Sequence, residues 1–583
     1  RERERVKEEN ERERGWGSTP GAVPLPATRV QQLWLAAEMP RRCLLLSLCL
    51  VSLCHSLFPG AAPDEGDIRH LYPRVSFAVS LRHHSSILPF LLGWLENIDY
   101  PKKRLAVDFY LHSAAREDAT SEQIKWWRSQ SSSVFSFVLL EEVSAGVIWQ
   151  ERALSAARKR RCAFLFLWDG DDVPFDFSFL FREVKTKEVV TTFLVGPPRD
   201  CAEWNVADAI EEGFTFNSSA PLQEVESVSL PLKILLDSQD SDYLTFDGSN
   251  VYSYEGERDA LSVLAASAQK MGITLWLSRS HHHAWHFPQD IDVRERAKMI
   301  RYLYADLIGE FGQPHPLTIS RSIRPFQPEA DTFEFDKVLV VNLARRPERR
   351  SRIQAMCAVL GLACDIWTAT DGASLSNEDL AGIQQLPGYL DPYYERPMKA
   401  GEVGCFLSHY RIWKEMVKRG WGRVLILEDD ARFAQGALES LGETMEDLER
   451  SGMDWHLIYL GRKILVPEKE KWVGGIRHLT TVGYSYWTIG YALSLEGAEE
   501  LLFPQPLSRL LPVDEYIPLL ADVHPNREWS SAFQERKLKS FSVSPLLVFP
   551  QRYKNENEYV SDTEASDIIF HDSNHIDAKK TEL

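Results

Sequence analysis

The sequence predicts an α/β protein made of two doubly wound regions in tandem. Three observations carry that expectation. Short apolar runs alternate with stretches whose apolar residues recur at helical spacing. Some of the runs, Cys162–Trp168 above all, are apolar on both faces, as strands inside a parallel sheet must be. A segment with two prolines and no sustained periodicity, 320–333, divides the runs into two sets. With 583 residues the chain is long enough to bury two cores.

The first domain is expected over 63–319, its folded part opening near Tyr72. Val75–Leu81 reads as a strand. His84–Asn97 reads as a helix, because Leu88, Leu91, Leu92 and Leu95 fall at helical spacing. Leu105–Leu111 is a second strand, and a basic helix near Arg152–Arg161 leads into the apolar run at Cys162–Trp168. After the 320–333 linker, the second domain is expected over 334–560. Its strands are Lys337–Leu343, Val424–Leu427 and His456–Leu460, and Phe406–Val417 has helical spacing. Strand-helix alternation of this kind builds a Rossmann-like sheet in each domain. Residues 561–583 are polar and acidic, and are expected to be partly disordered.

Composition narrows the function. Lys and Arg number 66 against 84 Asp and Glu, a formal net charge of -18. A net acidic chain suits a polyanion poorly, so no nucleic-acid partner is expected. Residues 1–14 form a mixed-charge run with no apolar face, and 1–38 read as a non-native or untranslated leader. Met39 then opens a signal-peptide pattern over 39–62: Arg41 and Arg42, an apolar stretch Cys43–Leu53, and small residues at Gly60-Ala61-Ala62. An uncleaved anchor is the alternative, but the stretch is short for one, and no later run of roughly 18 apolar residues exists, so no stable membrane span is expected. The final Lys580-Thr581-Glu582-Leu583 resembles lumenal retrieval signals, with Thr581 departing from the usual residue. Together these features predict the endoplasmic reticulum lumen. Beyond the signal peptide remain Cys162, Cys201, Cys357, Cys364 and Cys405, an odd number that leaves at least one thiol unpaired or shared between chains. No CxxC spacing points to structural zinc. Asn217-Ser218-Ser219 is a glycosylation acceptor sequence.

The strongest chemical signal is Glu428-Asp429-Asp430, which follows a buried strand directly. Ligands in open α/β sheets bind beyond the carboxyl ends of strands. Clustered carboxylates repel unless a cation sits among them, and oxygen ligands favour magnesium or manganese, which could hold a diphosphate. Helix capping by Asp429 or Asp430 is the plainer reading. A second signal is Arg345-Arg346-Pro347 at the end of Lys337–Leu343. Pro347 opens a helix whose N-terminus, with guanidinium groups, suits a nucleotide phosphate. Arg349, Arg350 and Arg352 read equally well as a solvated basic face. A third is Asp514-Glu515, acids among prolines and apolar residues, a setting that raises a carboxyl pKa and suits a general base; capping is again the alternative. In the first domain, Asp169-Gly170-Asp171 follows a buried strand and repeats the acidic logic, although Asp-Gly favours turns by itself. His281, His282, His283 and His286 read as a surface loop rather than a metal site.

These residues and their surroundings resemble glycosyltransferase family 25, the group of procollagen galactosyltransferases and a related endothelial adhesion molecule. The resemblance runs through FDKVLVVNLARRPERR from Phe335, LPGYLDPYYERP from Leu386, KAGEVGCFLSHYRIWKE from Lys399, ILEDDARF, DWHLIYLGRK from Asp454, YSYWTIGYALSLEGAEELL from Tyr484, LPVDEYIP and YVSDTEAS from Tyr559. It implies two Rossmann-like glycosyltransferase domains of GT-A type in tandem. It implies UDP-galactose as donor, Mn2+ as metal, collagen or procollagen hydroxylysine as acceptor, and inversion to a β-linkage. Carried onto this chain, Glu428 and Asp430 would hold metal and Asp429 the diphosphate. Asp514 or Glu515 would be the base, and Arg345, Arg346, Glu402, Ser408 and His409 would line the donor side. Asp169 and Asp171 keep a second metal motif. The first domain departs further from the family: its later paired-Asp segment appears here as YEGERDAL, Tyr254–Leu261. A non-catalytic member acting in cell adhesion or collagen binding is the alternative function. A homodimer is expected of a long acidic chain working on a rigid rod.

Overall fold

The computed structural model describes residues 72–193, 222–250, 256, 259–279, 283–287, 291–312, 317–551 and 563. The expected leader and signal peptide, the terminal KTEL, Asn217, Cys201, His281 and His282 lie outside the described residues. The chain divides into Tyr72–Asp391 with Arg396–Leu583, and a second unit of Arg1–Leu71 with Pro392–Glu395, of which the described part is the turn 392–395. Both large sheets belong to the first of these units.

In the first half, β1 (Val75–Leu81), β2 (Leu105–His112), β3 (Phe137–Val143) and β4 (Phe164–Asp169) run parallel in the order β3-β2-β1-β4. The crossovers carry α1 (Leu88–Asn97), α2 (Thr120–Ser131) and α3 (Trp149–Lys159). All of β1 is buried, which is why it reads as an unbroken apolar run. The helix expected from His84 begins four residues later. The His84 carbonyl accepts the N–H groups of Ile87 and Leu88 in a turn, and the His84 side chain is drawn inward instead. There follow β5 (Asp172–Pro174), α4 (Phe179–Glu183), β6 (Val190–Phe193), β7 (Leu222–Val225), β8 (Leu232–Leu235), α5 (Ala260–Lys270), β9 (Leu275–Ser278), β10 (Ala284–His286) and α6 (Val293–Phe311). The sheet continues past β4 as β8-β6-β9-β7, with β8 antiparallel to β4, while β5 pairs with β10.

The second half repeats this plan with β11 (Lys337–Asn342), α7 (Pro347–Leu360), β12 (Asp365–Thr368), α8 (Ala400–Arg419), β13 (Arg423–Glu428), β14 (Ala431–Phe433), α9 (Ala437–Ser451), β15 (Leu457–Ile464), β16 (Leu479–Thr481), β17 (Ser485–Ser494), α10 (Leu495–Leu502), α11 (Val513–Leu520), α12 (Arg527–Ser531), β18 (Ser540–Val543) and β19 (Val548–Pro550). The sheet order is β12-β11-β13-β17-β15-β18-β16. β12, β11 and β13 are parallel, and β17 is antiparallel to both β13 and β15. The helix expected at Phe406–Val417 starts earlier, at Ala400, because the Glu402 carboxylate accepts the Lys399 N–H at 2.6 Å and caps the first turn. Gly401 and Gly404 hide that start in the sequence.

A likeness between the halves that the sequence shows poorly is plain in the chain path. β4 ends in Asp169-Gly170-Asp171 and β13 in Glu428-Asp429-Asp430, and each acidic turn leads at once into a short strand, β5 or β14. Each turn is closed the same way. The Phe287 N–H donates to the Asp171 carbonyl at 2.9 Å, and the Gln551 N–H to the Asp430 carbonyl at 2.6 Å. Both acidic turns therefore sit at the carboxyl end of a parallel strand.

The two sheets share one continuous apolar core, from Phe90 and Leu307 in the first half to Met356, Leu438 and Val548 in the second. α6 is its hinge. The Tyr302 hydroxyl donates to Glu439 Oε2 at 2.7 Å and accepts the Leu438 N–H at 3.0 Å. Asp306, fully buried, faces Arg432 at 3.6 Å, and Gly309 lies so close to Met356 that a Cβ would stand 2.6 Å from its sulfur. The segment 320–333 runs without helix or strand, tied down at its start by the Ser320 hydroxyl, which donates to Glu96 at 2.6 Å. Among the described residues no helix is long and apolar enough to cross a membrane.

Candidate active site

The end of β11, the start of α7, the N-terminal part of α8 and the acidic turn after β13 surround a cavity of about 450 Å³. Arg345, Arg346, Asp371, Gly401, Ser408, His409, Glu428, Asp429 and Asp430 line it, together with Arg349, Cys405 and Thr563. Most of the residues expected on the donor side thus come together, from segments far apart in sequence. Glu402 is the exception. Its carboxylate caps α8 and pairs with Arg396 at 2.9 Å, and it does not line the cavity.

Each acid of the turn has its own surroundings. Glu428 accepts the Thr488 hydroxyl at 2.6 Å and faces His409 Nε2 at 3.7 Å. Burial works to raise its carboxyl, but His409 and Thr488 outweigh burial and hold it below the ordinary glutamate value. Asp429 accepts the Asn342 amide at 2.7 Å, and the buried Arg349 guanidinium stands 3.7 Å away. The same Asn342 amide reaches the Arg346 carbonyl at 3.0 Å, so the end of β11 is tied to the acidic turn. Burial, then the charges of Glu428 and Asp429, push Asp430 up to about 8. An acid pushed up by burial and by two anionic neighbours is a carboxyl that a cation would ionise. That chemistry fits a divalent ion.

Arg349 is the residue the sequence undervalued. The sequence allows it a solvated basic face, yet it is 5% exposed and lines the cavity. Helical spacing is the signal: Arg349 follows Arg346 by three residues and lies on the inner face, whereas Arg350 is exposed. Ser408 acts on a loop. Its hydroxyl donates to the Gly404 carbonyl at 2.7 Å and accepts the Thr370 N–H at 2.8 Å, which fixes the loop that carries Asp371. Asp371 in turn accepts from Arg345 Nε at 2.8 Å. His409 is locked by the Tyr491 hydroxyl, 2.9 Å from Nδ1, and that hydroxyl accepts the Trp413 indole N–H at 3.1 Å. With its one proton then turned to Nδ1, the hydroxyl leaves Nε2 as the N–H that faces Glu428.

Asp514 and Glu515 open α11 and have different tasks. Glu515 is 3% exposed and accepts from three donors: the Tyr486 hydroxyl at 2.7 Å, the Tyr484 hydroxyl at 2.8 Å and His524 Nε2 at 2.7 Å. His524 Nδ1 accepts the Asn526 N–H, so Nε2 carries the proton. Glu515 is a satisfied structural acceptor. Asp514 is half-buried and takes the Trp487 N–H. Burial, then the charges of Glu428 and Glu515, push Asp514 up to about 7.

In the first half, His84, Asp169 and Asp171 are, among the described residues, the one group of three whose ligand atoms all lie within 4.8 Å of one another, and such a group could hold a divalent ion. Its members are also engaged internally. His84 Nδ1 accepts the Arg82 N–H at 2.7 Å, so Nε2 donates to Asp171 at 2.9 Å, and Arg296 of α6 reaches the same oxygen at 3.0 Å. Burial raises Asp169, reinforced by the charge of Asp171. On Asp171 burial is outweighed by His84 and Arg296, and its carboxyl is held below the ordinary value. Gly170 belongs here for space: a Cβ would stand 2.6 Å from the Ser80 carbonyl and 2.8 Å from the His84 ring. The expectation of a histidine-rich surface loop does not hold for His283 and His286. His283 is buried against Asp176 at 2.9 Å, and His286 pairs with Asp172 at 2.7 Å, because β10 lies antiparallel to β5.

Two family models match the chain: glycosyltransferase family 25 (LPS biosynthesis protein) over residues 335–517, and the N-terminal domain of glycosyltransferase family 25 over 72–153. A glycosyltransferase 25 family member of Anopheles gambiae is 33% identical over 86% of this chain and 90% of its own. Procollagen galactosyltransferase 1 of Danio rerio is 31% identical over 86% and 88%. The inactive glycosyltransferase 25 family member 3 of Homo sapiens is 31% identical over 85% and 88%. Among solved structures, the mannosyltransferase PcManGT of Pyrobaculum calidifontis superposes with a TM-score of 0.26 over 40% of this chain and 61% of its own, at 15% identity, a likeness too slight to say anything of function. By its relatives across most of its length, this chain belongs to glycosyltransferase family 25.

Proposed function

We propose that this chain transfers galactose from UDP-galactose to hydroxylysine side chains of collagen, with inversion, at the cavity between β11, α8 and the acidic turn after β13. The observation that carries the reading is Asp514: a half-buried carboxyl pushed up to about 7, beside an arginine-lined cavity that ends in acids. A group with that pKa can take a proton at neutral pH and still be ionised beforehand. Relatives named procollagen galactosyltransferase, in Danio rerio at 31% identity and in Mus musculus at 30%, support galactose as the sugar and procollagen as the acceptor.

The chain's own residues divide the work. Arg345, Arg346 and Arg349, at the N-terminus of α7, attract the diphosphate. Ser408 holds the Thr370–Asp371 loop as one wall of the donor cavity, and His409 keeps Glu428 ionised. Asp514 takes the proton from the acceptor hydroxyl as its oxygen bonds to the anomeric carbon and the bond to UDP breaks on the opposite face. Glu515 holds Tyr484 and Tyr486 and so keeps the start of α11 in place. Glu428 and Asp430 would hold Mn2+, which when bound offsets the charge of the departing diphosphate. The His84, Asp169 and Asp171 group is the alternative seat of a divalent ion.

Purified chain incubated with UDP-galactose, Mn2+ and deglycosylated collagen should transfer galactose, and Asp430→Asn should abolish the transfer. Loss with Asp171→Asn but not with Asp430→Asn would move the site to the first half. No transfer from any donor would favour a non-catalytic member that binds collagen, a reading to which the inactive human relative at 31% identity lends weight. We propose the endoplasmic reticulum lumen as its compartment on the signal-peptide pattern over 39–62 and the Lys580–Leu583 motif. Removing Lys580–Leu583 should then increase secretion, and unchanged retention would reject the tail as a signal.

A further inference from the structure

β17 is irregular where it passes the site. Lys463 of β15 pairs with Tyr486, and Gly461 pairs with Gly490. One residue of β15 therefore faces three of β17, Trp487, Thr488 and Ile489. Bulges of this kind re-aim side chains and are frequent beside active sites. Trp487 sits in it with φ 73. Among the described residues it is the one non-glycine residue inside a strand with positive φ. A bulky side chain is held there against its own preference, so the surroundings impose the conformation.

The bulge has a clear local purpose. Tyr486 reaches Glu515, the Trp487 N–H reaches Asp514, and Thr488 reaches Glu428. Three consecutive residues thus contact the acid pair of α11 and the first acid of the turn. A regular strand would send Trp487 to the face opposite Tyr486 and Thr488. That network uses only the backbone of Trp487. Its indole is 40% exposed, with Lys463 Nζ 5.8 Å from the ring centroid. The indole is not among the residues lining the cavity, whereas Glu428 is. Asp514 does not line the cavity either, and the Trp487 N–H contacts it, so the ring at this position neighbours the base outside the nucleotide cavity.

We propose that the Trp487 indole is the platform on which the acceptor lies, stacking an extended, proline-rich peptide so that its hydroxyl reaches Asp514. Aromatic faces dock peptides of polyproline II type, because such chains are already extended and present apolar imino-acid rings. Lys463 limits which part of the peptide can lie there, since its ammonium repels a cationic side chain. This rests on the functional reading above and names its acceptor-binding residue.

Glycine separates the ring from the backbone, because it adopts φ 73 freely and keeps the N–H to Asp514. Trp487→Gly should fold, with the wild-type circular dichroism spectrum at the assay temperature. Its KM for a hydroxylysine-bearing Gly-X-Y peptide should rise about tenfold or more. The KM for UDP-galactose should stay within about twofold, and Trp487→Phe should recover part of the peptide affinity. An unchanged peptide KM in the Gly variant overturns the proposal, as does an equal rise in both constants. If wild type transfers nothing, the functional reading fails first. Anisotropy of the labelled peptide with UDP and Mn2+ then decides the platform alone: wild-type binding that the Gly variant loses upholds it, and equal binding or none by wild type overturns it.

Discussion

At limiting Mn2+, lowering the pH from about 8 to about 6 should cut the transfer rate, as kcat/KM, roughly tenfold. Asp514 lies at about 7, raised by burial first and then by Glu428 and Glu515. Its ionised fraction is roughly nine-tenths at pH 8 and one-tenth at pH 6, and the base acts only when ionised. An aspartate at its ordinary value of 3.8 would be ionised across that range and give a flat profile. A divalent ion seated against Glu428 offsets that charge, so added Mn2+ should move the limb to lower pH. Asp514→Asn should lower kcat by roughly 10²–10⁴, the usual worth of a positioned base. The assay is the initial rate of galactosyl transfer across the pH range, at constant ionic strength and several Mn2+ concentrations. A flat profile, or an Asn variant retaining half the activity, would refute the assignment of Asp514 and the reading that rests on it.

Three further outcomes test the frame around the site. Asp306, fully buried between the halves, is pushed up to about 6 from 3.8 by burial, with Arg432 opposing. A folded-state value above the unfolded one means that the folded chain holds the proton longer, so stability is lost as pH rises from about 4 through about 6. That loss is at most about 3 kcal/mol, and Asp306→Asn should flatten it in denaturation midpoints measured across the same range. Gly404→Ala would set a Cβ 2.6 Å from the Gly372 nitrogen and 2.7 Å from the Thr370 carbonyl oxygen, both backbone. The loop lining the cavity must then shift, at roughly 1–3 kcal/mol, and calorimetry should show weaker UDP binding. Replacing Tyr484 and Tyr486 together by Phe removes two of the three side-chain donors that meet Glu515 among the described residues and leaves His524. Stability should fall by roughly 1–3 kcal/mol for each lost donor, read by chemical denaturation, and transfer should fall with it.

Strands buried on both faces were legible because burial alone dictates their composition: β1 and β11 lie where the apolar runs place them. The acidic turn after β13 and the arginines before α7 were legible too, since the ends of parallel strands are where such residues can meet a ligand. Helix starts were less so. α1 begins after an inward-turned histidine and α8 begins at a glycine-bearing cap, and neither follows apolar spacing. Local pattern by itself determined two sheets, their acidic rims and the chain's membership in a family. Tertiary structure alone decided which acid is which. Asp514 and Glu515 are neighbours with similar side chains, yet one meets three donors and the other meets burial and two anions. Arg349 became a cavity residue and Trp487 an exposed ring beside the base by the same means. Charge and pKa depend on what the fold brings within a few ångströms, and no spacing along the chain encodes that.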